Sequence, residues 1–195
     1  MMTALNYQYW ESVAVGNACV LAPIEGMEQS YELLKGTPLT GQFPKNVLFR
    51  MSADHPRNIG LTDALSNMNE LLVASKRLKD FLEAKRLPNV EYHQVSIINH
   101  KGRTASDEYF LVHPIHSQDC LNLQASGPRY NKISPTQISQ VQNLVIDESK
   151  ITPGVTLFRI KNFGKALLVH RELAAEISKA GFVGAFFIEL DQYGK

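Results

Sequence analysis

The stretch LLVASKRLKDFLEAKRLPNVEYHQV, Leu71 to Val95, changes its hydrophobic period twice. Leu71-Leu72-Val73 is too short and too apolar for a surface helix and reads as a strand, with one continuous helix over 63–86 as the alternative. Ser75 stands where an N-cap belongs. Leu78, Phe81 and Leu82 then recur at helical spacing, while Lys76, Arg77, Lys79, Asp80, Glu83 and Arg86 face water. Pro88-Asn89 stops the helix. Val90 to Ile98 resumes as a strand whose alternation slips near Gln94, as a bulge or burial on both faces would produce. A fainter echo, LLVHRELAAEISKAGFVGAFFIEL, runs from Leu167 to Leu190. It predicts a short strand, a helix over Glu172–Ala180 with Leu173 and Ile177 inward, Gly181 as a left-handed cap, and a strand over Val183–Leu190. A strand–helix–strand unit is thus used twice.

Working outward, Tyr7, Tyr9 and Trp10 suggest a first strand, and a short element ends at Gly36 before Pro38. Asn46 to Met51 alternates as a strand. Asp63 or Thr62 can cap a short helix through Met68. Glu108 to His113 is the expected antiparallel partner of the 90–98 strand, across a polar loop from Asn99 to Asp107. Residues 114–134 read as irregular, with a short strand at Leu121 and Leu123. Ser134-Pro135-Thr136-Gln137 has the form of a capping box opening a helix with Ile138 and Val141 on one face. Short strands follow at 144–146, 156–160 and 166–169. The expected class is α+β: mixed, mostly antiparallel sheets with three to four helices. One domain over 1–195 accommodates this, with 1–42 as an N-terminal elaboration.

The composition is that of a folded chain with a full core, at 44% hydrophobic and 20% charged residues. A net charge of +1 gives no electrostatic case for nucleic acid or an anionic membrane surface. Two cysteines without a CxxC pattern suit reduced thiols. The N-terminal residues lack a basic n-region, and no apolar run is long enough for a membrane span, so a cytoplasmic location is expected.

Few constellations carry chemistry. His113, His116, Asp119 and Cys120 are the densest set of metal-competent or nucleophilic side chains, and a small metal- or thiol-dependent hydrolase is the alternative reading they support. Their spacing matches no standard metal pattern, and GxGxxG, GxxxxGK[ST] and GxSxG are all absent. No catalytic, cofactor-binding or metal residue is therefore assigned, and the chain is expected to act as a binding protein.

The order of landmarks supports a specific kinship. Phe43-Pro44 precedes Val47 and Phe49, and Asp63 precedes Leu72-Val73-x-Ser75-x-x-Leu78 and Leu82. Asn89-Val90-Glu91-Tyr92 leads to Val95 and, later, Tyr109. Asp119-Cys120-Leu121 and Ser126 are followed by Leu144-Val145-Ile146-Asp147, Leu157-Phe158-Arg159, Leu167-Leu168-Val169 and Gly181-Phe182-x-Gly184. In this the chain resembles the Myxococcus-type bacterial immunity domain, a family of polymorphic-toxin and type VI secretion effector–immunity pairs. His170, where a Ser-like cap is expected, and Asn122, where an acidic residue is common, depart from the pattern. The resemblance implies a cytoplasmic immunity protein that binds and neutralises a cognate toxin, with no cofactor and no enzymatic activity. Anchors for such a partner belong in irregular loops on a rigid scaffold. The candidates are Arg57, His116, Asp119, Arg129, Tyr130 and Asn131.

Overall fold

The computed structural model describes residues 5–194; the extreme ends of the predicted domain, 1–4 and 195, lie outside the described residues. Eleven strands and four helices are present among the described residues: β1 (Tyr7–Ser12), α1 (Glu32–Lys35), β2 (Leu48–Arg50), β3 (Ala64–Leu65), β4 (Leu72–Ser75), α2 (Lys76–Ala84), β5 (Val90–Ile98), β6 (Thr104–Pro114), α3 (Leu123–Ser126), β7 (Arg129–Tyr130), β8 (Ile138–Gln140), β9 (Leu157–Ile160), β10 (Phe163–His170), α4 (Arg171–Lys179) and β11 (Ala185–Ile188). The strands form a four-stranded sheet ordered β11-β1-β10-β9, a five-stranded sheet ordered β2-β5-β6-β4-β3, and the β7–β8 hairpin. Among the strands of the described residues, β2 and β5 are the one pair hydrogen-bonded in parallel, so the class is the α+β arrangement expected.

Both strand–helix–strand units share one topology. In each, the strand runs into its helix without a loop, and the two strands of the unit lie parallel with one antiparallel strand inserted between them. That strand is β6 between β4 and β5, and β1 between β10 and β11. The apolar runs that open the units are continuous because both faces are buried. Leu71 and Val73 enter a core beneath the N-terminal segment with Leu21, Phe49 and Leu111. Leu72 and Ala74 turn the other way, into a core shared by α2 and α4. Likewise Leu167 and Val169 join that shared core, while Ala166 and Leu168 face a third core built with Cys120, Ile138, Leu144 and Phe158. Leu78, Leu82, Leu173 and Ile177 meet between the sheets, and Lys85 reaches Glu176 from one helix to the other.

Ser75 caps α2 as the sequence implies, and two further helices are capped by residues not read as caps. Leu78 N–H donates to Ser75 Oγ at 3.3 Å. His170 takes the equivalent place on α4, where its Nδ1 accepts from Glu172 N–H at 3.4 Å. Asn122 caps α3 through Ala125 N–H. The two residues that depart from the family pattern are thus both helix caps.

Five local expectations are corrected. The helix over 63–68 is absent and β3 lies there, because the Asp63 carboxylate is taken by Ser75 Oγ, Arg77 and Val183 N–H rather than by a helix N-terminus. Ser134–Gln137 closes a single turn through Gln137 N–H and Ser134 O. It then continues as β8, because Ile138 N–H is claimed by Asn162 O and the Ile138 side chain by the core. Leu123 opens α3 instead of a strand, and Leu121 makes one isolated bridge to Ile146, which is all that remains of the expected 144–146 strand. The 99–107 loop is shorter than expected: Asn99 Oδ1 takes the N–H groups of Lys101 and Arg103, and β6 begins at Thr104. The slip in β5 is a register shift between Val95 and Ile97.

Candidate functional site

Where α1 and the β7–β8 hairpin face each other, they leave a groove of about 660 Å³. Tyr31, Leu34 and Lys35 form one wall, and Asn131, Ile133, Ser134 and Gln137 form the other, with Glu70, Gly164 and Lys165 between them. Each wall is held from below.

A one-turn helix such as α1 is not stable alone. Leu33 is fully buried, Gly36 ends the turn in the left-handed region, and Glu32 accepts from Lys35 Nζ and Thr37 Oγ1. Those bonds, Lys35's first, lower the Glu32 pKa. Gly164 lets α1 lie directly on β10: a Cβ there would stand 1.8 Å from Leu34 O.

The hairpin is rooted by buried Ile138 and Val141. Its turn is built by Asn131, whose Oδ1 accepts from Ile133 N–H at 2.8 Å and Ser134 N–H at 3.2 Å. Asn131 N–H closes the loop on Gln137 O at 2.7 Å. The result holds Ile133 at the tip with 96% of its surface exposed, and Tyr130 beside it is also exposed.

Beneath the floor lies Arg159, 1% exposed. Its guanidinium donates to Gly164 O at 2.6 Å and Glu70 O at 3.0 Å, fixing both floor residues. No carboxylate lies within ion-pair distance of it among the described residues, and burial lowers its pKa to about 10. The group therefore stays charged at neutral pH. Tyr31, Leu34, Ile133 and Ile138 give the groove its apolar surface, and Lys35 and Lys165, with Arg159 beneath, outnumber its one acidic lining residue, Glu70.

Of the six candidate anchors, Arg129 and Tyr130 lie on β7 and Asn131 on its turn, and all three are exposed. His116 is exposed at positive φ and is bonded through its N–H to Gly36 O, at the end of α1. Asp119 is exposed and pairs with Lys161 at 3.2 Å, next to Asn162, which holds Ile138 of the hairpin. These five border α1, the hairpin or the β9–β10 turn. Arg57 does not join them. It lies beside the β5–β6 turn, where His100 Nε2 approaches Asn58 O at 3.4 Å. That is the far end of β6 from His116, about 33 Å along the strand. Tyr31, Ile133 and Lys165 carried no sequence signal of their own; an isoleucine in a polar turn between Lys132 and Ser134 is the one cue available.

The hydrolase cluster is not assembled. His113 is buried and donates from Nε2 to Thr37 O at 2.8 Å, with burial lowering its pKa to about 4. Cys120 is buried in the third core, where burial raises its thiol pKa to about 11. His116 and Asp119 face solvent. No three of His, Cys, Asp and Glu converge as metal ligands among the described residues. The basic face of α2 is largely matched by acid: Lys76 meets Asp80, Lys79 meets Glu83 and Arg77 meets Asp63. No helix among the described residues is long and apolar enough to cross a membrane.

Residues 16–192 match the model of the immunity protein family Imm11. No curated protein matches the chain.

Proposed function

The chain belongs to the Imm11 immunity protein family, and from that premise we propose that it neutralises a cognate bacterial toxin by binding it. The contact runs through the groove between α1 and the β7–β8 hairpin. The toxin is a polymorphic or type VI secretion effector, and the encounter takes place in the cytoplasm of the producing cell. No chemistry by the immunity protein is needed, because a toxin is silenced when its own working surface is covered.

One observation carries the assignment of the surface: Ile133 is held 96% exposed by a turn that Asn131 closes through the N–H groups of Ile133 and Ser134. Scattered exposed apolar residues are ordinary. Here, however, Ile133 shares one groove with exposed Tyr31 and stands near Tyr130, the pattern of an apolar anchor with an aromatic surround. Arg129 on the hairpin, with Lys35 and Lys165 on the rim, favours a toxin segment that brings acidic groups around an apolar centre. His116 and Asp119 extend the surface along the β9 edge; Arg57 belongs to a separate patch.

Co-expression tests the function. The toxin encoded beside this protein should kill cells when expressed alone, and this protein should rescue them and co-purify with the toxin in a stoichiometric complex. Rescue without any complex would sink the binding reading and point to an enzyme that reverses the damage.

A further inference from the structure

The groove floor crosses the seam between the two large sheets, and its walls are rooted on opposite sides of that seam. Leu33 of α1 is buried with Phe49, Leu71, Val73 and Leu111 of the five-stranded side, and Leu34 O lies against Gly164 across the seam. Ile138 and Val141 of the hairpin are buried with Phe158 and Leu168 of the four-stranded sheet. The floor divides the same way: Glu70 precedes β4, whereas Gly164 and Lys165 belong to β10. The spacing of the groove therefore follows the position of one sheet on the other.

One side chain joins the two halves of the floor. Strand alternation places Arg159 of β9 on the face of Leu157, in the core between the sheets, while Phe158 and Ile160 take the other face. Its guanidinium donates to Gly164 O at 2.6 Å within its own sheet and to Glu70 O at 3.0 Å across the seam. Neither acceptor sits in a regular ladder. Gly164 lies where the register of β9 and β10 shifts, between Phe163 and Leu167. Glu70 stands outside the strands at a φ of 55°, in the left-handed region that residues with a side chain seldom adopt. Its loop is closed on itself by Asn67, which bonds both the N–H and the carbonyl of Leu71. That loop is one unit, and Arg159 fastens it to the other sheet.

On the reading that the toxin docks in this groove, we infer that Arg159 is a positioning residue for toxin binding: it holds the two halves of the floor, and with them the α1 and hairpin walls, at the spacing the toxin meets. Packing does not ask for this residue. An apolar side chain of similar volume between two sheets is ordinarily as stable as a buried charge, or more so. Arg159 is buried with no carboxylate at ion-pair distance, and its Nε has no hydrogen-bond partner among the described residues. A charge buried at such a cost makes two directional bonds, and both go to the floor. Apolar contact across the seam is non-directional and sets no such spacing.

The seam stays closed without Arg159. Asn89 Nδ2 bonds Leu157 O at 2.9 Å, Ala64 N–H bonds Val183 O beside the β3 and β11 edges, and Leu72, Leu78, Leu167 and Ile177 pack between the sheets. Loss of Arg159 therefore leaves a folded chain whose groove takes more than one width. Binding to such a groove is slowed by the fraction of time the right width is present, whereas a lost contact, such as that of Ile133, speeds dissociation.

Association and dissociation rates with the purified toxin encoded beside this protein test this, for the wild type, Arg159→Met, Ile133→Asp and Ser75→Ala. If the loosened groove is competent about a tenth of the time, Arg159→Met associates about tenfold more slowly with little change in dissociation. Ile133→Asp should dissociate faster, and Ser75→Ala, which weakens the fold away from the groove, should change neither rate. Amide hydrogen exchange reads the loosening without toxin. Gly36, Thr37 and Glu70, whose N–H groups bond Leu33 O, Glu32 O and Asn67 O, should exchange faster in Arg159→Met, with the amides of α2 unchanged. Arg159→Lys keeps the charge but not the planar fork; it should show both effects at smaller size, and it takes the place of Arg159→Met if that variant does not fold. A wild-type association rate in Arg159→Met, while Ile133→Asp still dissociates faster, overturns this inference and leaves the groove reading intact. Wild-type rates in Ile133→Asp overturn the groove reading and this inference with it. Slow association that Ser75→Ala shares, without faster exchange at residues 36, 37 and 70, makes Arg159 a core residue only and equally overturns it.

Discussion

His113 gives a prediction that separates a structural histidine from a catalytic or metal-binding one. Its ring fastens Thr37, and the segment after Thr37 is fastened again by Glu91, which accepts from Leu39 N–H at 2.9 Å and from Thr40. His93 completes the latch, stacked on Phe43 at 4.2 Å and bonded to Glu91 at 3.0 Å. Burial lowers the His113 pKa from 6.5 in the open chain to about 4 in the fold. On acidification the unfolded chain therefore takes up the proton first. The stability contributed by neutral His113 is complete above pH 6.5 and is lost as the pH falls through about 4. The gap between the two values is worth about 3 kcal/mol in full, of which about 2 kcal/mol is lost between pH 7 and pH 5. His93, also lowered by burial, adds to the loss with the same sign. On Glu91 the upward push of burial is outweighed by the bonds from Thr40 and Leu39, so its pKa is lowered; its contribution holds until the pH falls below the ordinary carboxylate range. Urea unfolding at pH 7 and pH 5 measures the loss directly. His113→Gln, which keeps a donor for Thr37 O, should remove about 2 kcal/mol of the pH dependence while costing little at pH 5. Equal pH dependence in the two proteins, or a His113 titration near 6.5 by NMR, would refute the reasoning.

Three further outcomes follow from named contacts. Gly164→Ala forces a Cβ against Leu34 O and should cost about 1–3 kcal/mol in urea unfolding by displacing α1, with toxin binding weakened in parallel. Ser75→Ala should cost about 1 kcal/mol in the same assay, and His170→Ala less, because the histidine's cap bond is longer. Burial raises the thiol pKa of both Cys19 and Cys120 to about 11. Both should stay inert to a water-soluble thiol reagent at pH 8 in the native protein and react together on unfolding.

The scaffold was legible where its signals were local and uncontested. Leu71–Val95 announces itself because the period changes at a capping serine and again at Pro88, and the same holds for the C-terminal copy around Gly181. Reading failed where a local signal had a stronger distant claimant. Asp63 is a good helix cap by type, but Ser75, Arg77 and Val183 N–H use its oxygens. The Ser134 box makes its first turn and is then drawn into β8 by Asn162. The candidate site divides the same way. Arg129, Tyr130 and Asn131 could be chosen as exposed loop residues. That Asn131 faces Tyr31 and Lys35 across one groove depends on Gly164, whose missing side chain lets α1 lie on a strand about 130 residues further along the chain. Nothing in the sequence around Gly164 signals that approach.

The central claim is that the toxin is held at the hairpin groove, and the affinity of Ile133→Asp for the purified toxin tests it most directly. Burying that side chain is worth roughly 1.5–3 kcal/mol, so calorimetry should find binding weakened about 10- to 150-fold. The variant's unfolding curve should match the wild type, because the wild-type residue touches almost nothing in the free protein. An affinity within threefold of wild type, with the complex still formed, would contradict the account and move the contact surface elsewhere on the molecule.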